Sequence, residues 1–118
     1  MDKLTDFFKV LSDETRLRIL VLLDHKKLCV CELCGIMDEP QPKISKHLGK
    51  LRDMGFIKYE RQEQFIYYSL TIDNELFKDI LDKIALNIDN YPVLKSDTEK
   101  ISNTTKFIEV CKHPRGSN

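Results

Sequence analysis

Leu28-Cys29-Val30-Cys31-Glu32-Leu33-Cys34-Gly35-Ile36-Met37, Asp38-Glu39-Pro40 and Gln41-Pro42-Lys43-Ile44-Ser45-Lys46-His47-Leu48 form the stretch that decides the fold. A short apolar helix begins near Val30 and is broken by Asp38-Glu39-Pro40. Gln41-Pro42 opens a second helix, where Pro42 is tolerated because a first-turn N–H would have no helical partner. Ile44, Leu48 and Leu51 make its buried stripe, while Lys43, Ser45, Lys46, His47 and Lys50 lie off that stripe. Gly55 then stops the helix. Two helices joined by a tight turn, the second polar and basic on its open side, suit delivery of side chains to a DNA major groove.

Working outward, Leu4, Phe7, Phe8 and Leu11 recur at helical spacing over about residues 3–11. Ser12-Asp13 offers a cap for a helix that carries Leu17, Leu20, Val21 and Leu23 and ends near His25. Beyond Gly55, the runs 56–61 and 65–71 are β-branched and aromatic, and a short link containing neither Gly nor Asn joins them as a hairpin. Asp73 is the expected cap of a helix with Leu76, Phe77, Ile80, Leu81, Ile84, Ala85 and Ile88 on one wide face, ending before Tyr91-Pro92. The pattern then weakens, and Lys106–Cys111 stays open between strand, helical turn and tail. The expected fold is mainly α with a two-stranded hairpin: a winged helix-turn-helix over residues 1–92, followed by a C-terminal tail over 93–118. The first and last helices carry more apolar surface than so small a domain can cover alone. This points to a homodimer through Leu4, Phe7, Phe8, Leu76, Ile80, Ile84 and Ile88.

The formal net charge is zero over 118 residues, so the total does not announce a nucleic-acid partner. Between Gln41 and Arg61, however, six cations (Lys43, Lys46, Lys50, Arg52, Lys58, Arg61) stand against Asp53 and Glu60. That is a localised basic footprint. No apolar run approaches the roughly 18 residues that span a bilayer, and no signal peptide is evident. No membrane partner is expected and a cytoplasmic location is. Clustered thiols there serve metal or redox chemistry more often than structural disulfides.

The chain resembles the ArsR/SmtB family of metal-sensing repressors. The residues that carry the resemblance are Leu11-Ser12-Asp13-Glu14-Thr15-Arg16-Leu17-Arg18-Ile19-Leu20, Leu28–Cys34, Gln41–Leu48 and Tyr67-Tyr68-Ser69-Leu70. Within that family, Cys-Val-Cys-x-Leu-Cys is similar to the form found in arsenical resistance repressors. The resemblance implies an operator-binding repressor, not an enzyme, that lets go of DNA on binding As(III) or Sb(III) as inducer. It further implies that Cys29, Cys31 and Cys34 are the ligands and that the helix from Gln41 to Arg52 is the recognition helix. The expected contacts to double-stranded operator DNA are Gln41, Lys43, Ser45, Lys46 and His47 on that helix and Arg61, Gln62 and Gln64 in the wing. Two departures matter. No cysteine precedes Cys29, as cadmium and lead sensors would require, and the wing link lacks its usual glycine.

Three thiols and no imidazole favour soft trivalent ions over hard metals, whereas structural zinc wants four ligands and the remaining cysteine is the distant Cys111. The helix N-terminus is expected to lower the thiol pKa values. At about 100° per residue, Cys31 and Cys34 share a helical face and Cys29 lies roughly opposite. The three sulfurs can meet only if residue 29 lies outside the helix or the first turn deforms. Two other functions remain in play: a redox or persulfide sensor of the same fold using the Cys31–Cys34 pair, and a thiol oxidoreductase or metal carrier. The absence of strand–helix alternation counts against the last.

Overall fold

The computed structural model of the chain describes residues 3–103. Helix α1 spans Lys3–Leu11 and α2 spans Glu14–His25. Asp13 caps α2 by accepting the Arg16 N–H at 3.0 Å, the arrangement that satisfies an otherwise orphaned first-turn donor. A two-residue strand β1 (Leu28–Cys29) runs directly into α3 (Val30–Met37). Then follow α4 (Gln41–Asp53), the strands β2 (Ile57–Gln62) and β3 (Phe65–Leu70), and α5 (Glu75–Leu86). A one-turn 3-10 segment Ile88–Asn90 leads to α6 (Pro92–Glu99), which has Pro92 in its first turn. Thus the polar stretch after Pro92, whose pattern gave no element, begins as a helix. Its Leu94 and Asp97 are buried, so one apolar and one paired polar residue suffice to dock it. The segment Lys106–Cys111 lies outside the described residues.

The hairpin forms as expected, with two details the sequence pattern did not carry. Leu28 pairs with Tyr68 and Cys29 with Tyr67, so β1 adds a third antiparallel strand on the free edge of β3. The wing closes through a two-residue loop between Gln62 and Phe65. Its first residue, Glu63, sits at φ 59°, a position that glycine favours in such loops. At the end of α4, Gly55 takes φ 83°; the Phe56 N–H reaches Leu51 O at 3.0 Å and the Gly55 N–H reaches Arg52 O at 2.9 Å. This Schellman closure turns the chain sharply into the wing.

The core gathers Ile19, Leu20 and Leu22 of α2, Leu33 and Ile36 of α3, Ile44, Leu48 and Leu51 of α4, and Leu81 of α5. Lys78 ties α5 to α2 by bridging Asp24 (2.9 Å) and Asp82 (2.7 Å). Two expectations change. Asn74, not Asp73, caps α5 by accepting the Phe77 N–H at 3.1 Å. Phe7, expected on a dimer face, is fully buried within the chain. It stacks on Phe77 at 4.3 Å between ring centroids and meets Phe56 edge-on at 5.8 Å. The apolar period of α1 identifies a covered face but not whether the same chain or a second one covers it.

Candidate functional site

The thiols sit where the sheet hands over to a helix. Cys29 ends β1 and is also the N-cap of α3, with extended backbone (φ −90°, ψ 170°). Cys31 and Cys34 follow within α3 itself. The first of the two conditions for gathering three sulfurs is therefore met: residue 29 stands outside the helix. Even so, among the described residues no three His, Cys, Asp or Glu side chains are arranged to hold a metal ion. Cys29 is buried and Cys34 half-buried, both as free thiols, whereas Cys31 is disulfide-bonded. With Cys34 free, the Cys31–Cys34 pair is not joined.

Glu32 organises this corner. Its carboxylate accepts the Cys29 N–H at 2.9 Å in a buried setting, and the Cys29 side chain faces the Glu32 N–H. The pair is a capping box with cysteine in the place normally taken by serine or threonine. The expectation of lowered thiol pKa values is overturned. Burial pushes both the Cys29 and the Cys34 thiols up; at Cys29 the Glu32 N–H pulls the other way, and the charge of Glu32 adds to the rise. Desolvation of the thiolate outweighs the helix N-terminus. The Tyr67 hydroxyl, opposite Cys29 across the sheet, is likewise raised by burial and by the charges of Cys29 and Glu32.

The far end of α3 is fixed differently. Asp38 closes the helix in the left-handed region at φ 54°, which Asp tolerates better than most residues. Arg18 of α2 donates to Met37 O at 3.1 Å and forks onto Asp97 of α6 at 2.7 and 2.9 Å. Lys100 reaches Ile36 O at 3.2 Å. Glu39, in the α3–α4 turn, lies 3.7 Å from Arg18 and 3.2 Å from Lys43.

Beyond the turn, α4 buries Ile44, Leu48 and Leu51 and leaves Gln41, Lys43, Ser45 and Lys46 exposed. His47 is half-buried instead, and its pKa is lowered first by burial; Asp13 opposes that shift and Arg16 adds to it. Arg61, Gln62 and Gln64 are exposed on the wing. The exposed faces of α4 and the wing thus offer a polar, cation-bearing surface. Elsewhere, Leu4, Phe8 and Leu76 are 42%, 50% and 53% exposed. Ile80 and Ile84 line a groove of about 460 Å³ with Leu17, Tyr91 and Leu94. Ile88 packs partly against the core.

Residues 13–59 match the family described as bacterial regulatory protein, arsR family. The transcriptional regulator HlyU from Vibrio vulnificus CMCP6 is 32% identical with a TM-score of 0.63, over 70% of this chain and 83% of that one. The chain belongs to the arsR family. This arsR-family chain is also 48% identical over 65 residues to the "Arsenical resistance operon repressor" of Escherichia coli K12, matching 54% of this chain and 56% of that protein. It therefore spans little more than half the length of that relative. The crystal structure of the AntR antimony-specific transcriptional repressor superposes with a TM-score of 0.63 at 26% identity, covering 75% of this chain and 78% of that one. These relatives are transcriptional regulators, not enzymes, and helix-turn-helix regulators of this kind bind operator DNA. No helix among the described residues is long and apolar enough to cross a membrane.

Glu32, Arg18, Glu39 and Asp97 were not singled out from the sequence. Cys29-x-x-Glu32 has the capping-box spacing and could have been found with cysteine admitted as a cap. Arg18 and Asp97 are separated by 79 positions, and no local pattern joins them.

Proposed function

We propose that the chain is a cytoplasmic, homodimeric transcriptional repressor whose hold on operator DNA is relieved by As(III) or Sb(III) taken up by Cys29, Cys31 and Cys34. One observation carries this reading: the first sulfur belongs to a sheet-paired N-cap and the other two to the helix it starts. Gathering all three around one soft ion has to move that corner, and α3 packs on α4. Two recognition helices in a dimer must sit about one DNA turn, roughly 34 Å, apart, so a small displacement of α3 spoils their register. The arsenical resistance and antimony-specific repressors that the chain resembles support metalloid response. The exposed Leu4, Phe8 and Leu76 and the adjacent groove support pairing of two chains. Gln41, Lys43, Ser45, Lys46 and His47 read the major groove, with Arg61, Gln62 and Gln64 following the backbone beside it.

A duplex selected by the wild-type chain from a random-sequence library serves as probe, at fixed salt because phosphate contacts make affinity steeply salt-dependent. With fully reduced protein, arsenite should weaken binding at least about tenfold, a typical size for coupling between two sites. Cys29→Ser, Cys31→Ser and Cys34→Ser should each abolish that response. Reciprocity requires the duplex to weaken arsenite binding by the same factor. Equal arsenite affinity with and without duplex sinks the mechanism. A second reading, a thiol-redox repressor, rests on the Cys31-x-x-Cys34 spacing within α3; peroxide-driven release without an arsenite response is its signature.

A further inference from the structure

The Arg18 guanidinium has five N–H donors in a fixed fork, and three elements share them. Two bonds go to Asp97 on α6 (2.7 and 2.9 Å) and one to Met37 O at the end of α3 (3.1 Å), while Glu39 in the turn stands 3.7 Å away. Glu39 passes the connection on to Lys43, 3.2 Å from its other oxygen. Asp97 is 3% exposed and Arg18 13%, so the carboxylate depends on the guanidinium as its partner. Lys100, just beyond α6, grips the same end of α3 at Ile36 O. The line therefore runs from the C-terminal helix through α2 and the turn to the third residue of the candidate recognition helix. Side chains in the first turn of such a helix are the ones that meet base edges.

We propose that Asp97 is a positioning residue for DNA reading: acting through Arg18 and Glu39, it holds the α3–α4 turn and with it the pose of Lys43. A buried carboxylate whose only task was to dock α6 could bond any nearby donor. This one is spent on a cation that also bonds Met37 O at the end of α3 and faces Glu39 in the turn. Asp38 holds its left-handed conformation one residue beyond that contact, at the point where the chain leaves α3 for the turn. The proposal rests on DNA reading by α4 and is independent of the inducer.

The test is a double-mutant cycle on duplex affinity, using the full chain and the duplex selected by the wild type. Asp97→Asn should weaken binding about tenfold and Lys43→Gln several-fold. The double variant should bind as Asp97→Asn alone does, within about 1.5-fold, because the contact made by Lys43 is already lost. Both single variants should flatten the preference for one and the same base pair when each position of the duplex is substituted in turn. A structural defect alone would leave that preference unchanged in the folded fraction. If Asp97→Asn does not fold, Arg18→Lys replaces it in the cycle, since it keeps a buried cation beside Asp97 and loses the fork. Strict multiplication of the two single effects, or wild-type affinity in both Asp97→Asn and Arg18→Lys, overturns the proposal. A wild-type chain that selects no duplex defeats DNA reading itself, a result separable from the other two.

Discussion

At its first turn α3 is held by neighbours in sequence, and at its last turn by residues far along the chain. Glu32 and Cys29 bond each other across three positions, helped by a two-residue strand pairing to Tyr67 and Tyr68. At the other end, Arg18, Asp97 and Lys100 bring α2 and the C-terminal region onto Ile36 and Met37. Opening the first end costs about one capping interaction, roughly 1 kcal/mol. Opening the second strands a buried charge, which costs several times more. A force applied to α3 is therefore absorbed where the thiols are and passed on where the turn begins.

Arg18→Ala should have the largest effect, about 3–5 kcal/mol of stability lost in denaturant unfolding, because Asp97 is left as an uncompensated buried charge. A loss under about 1 kcal/mol would make the two ends equivalent. Glu32→Ala comes next. It removes the buried acceptor of the Cys29 N–H and should cost about 1–2 kcal/mol, while lowering the arsenite concentration for half-release of DNA by a few-fold. An effect on stability matching that of Arg18→Ala would erase the comparison. The smallest change sets its zero. Glu63→Gly relieves a left-handed residue at the wing tip and should raise stability by up to about 1 kcal/mol in thermal melts, leaving the response to arsenite unaltered.

Much of this architecture was legible because it is written in short periods. The stripe of Ile44, Leu48 and Leu51, the break at Asp38-Glu39-Pro40 and the alternating aromatic runs each fix an element from within a dozen residues. What escaped was set by partners elsewhere in the chain. Strand β1 is two residues long and exists because β3, some 39 positions later, offers it an edge. Helix α6 carries almost no apolar period and docks through Leu94 and one ion pair. Phe7 reads as surface-seeking until Phe56 and Phe77 are seen to enclose it. The thiol pKa values went the opposite way for the same reason: position in a helix is local, but burial is not. The three-cysteine spacing was plain from the start, whereas the carboxylate that sets its resting geometry was visible only as an ordinary Glu.

The handover at residue 29 also limits how the cysteine spacing can change. Up to Cys29, side chains alternate with a period of two; from Val30 they turn by about 100° per residue. A residue inserted between Leu28 and Cys29 would flip the first thiol to the other face of the sheet. One inserted between Cys31 and Cys34 would rotate one helical thiol away from the other. The interval of one residue and then two is thus a phase relation between two kinds of backbone, and a change of length between positions 28 and 34 should be tolerated far less readily than one in the wing loop.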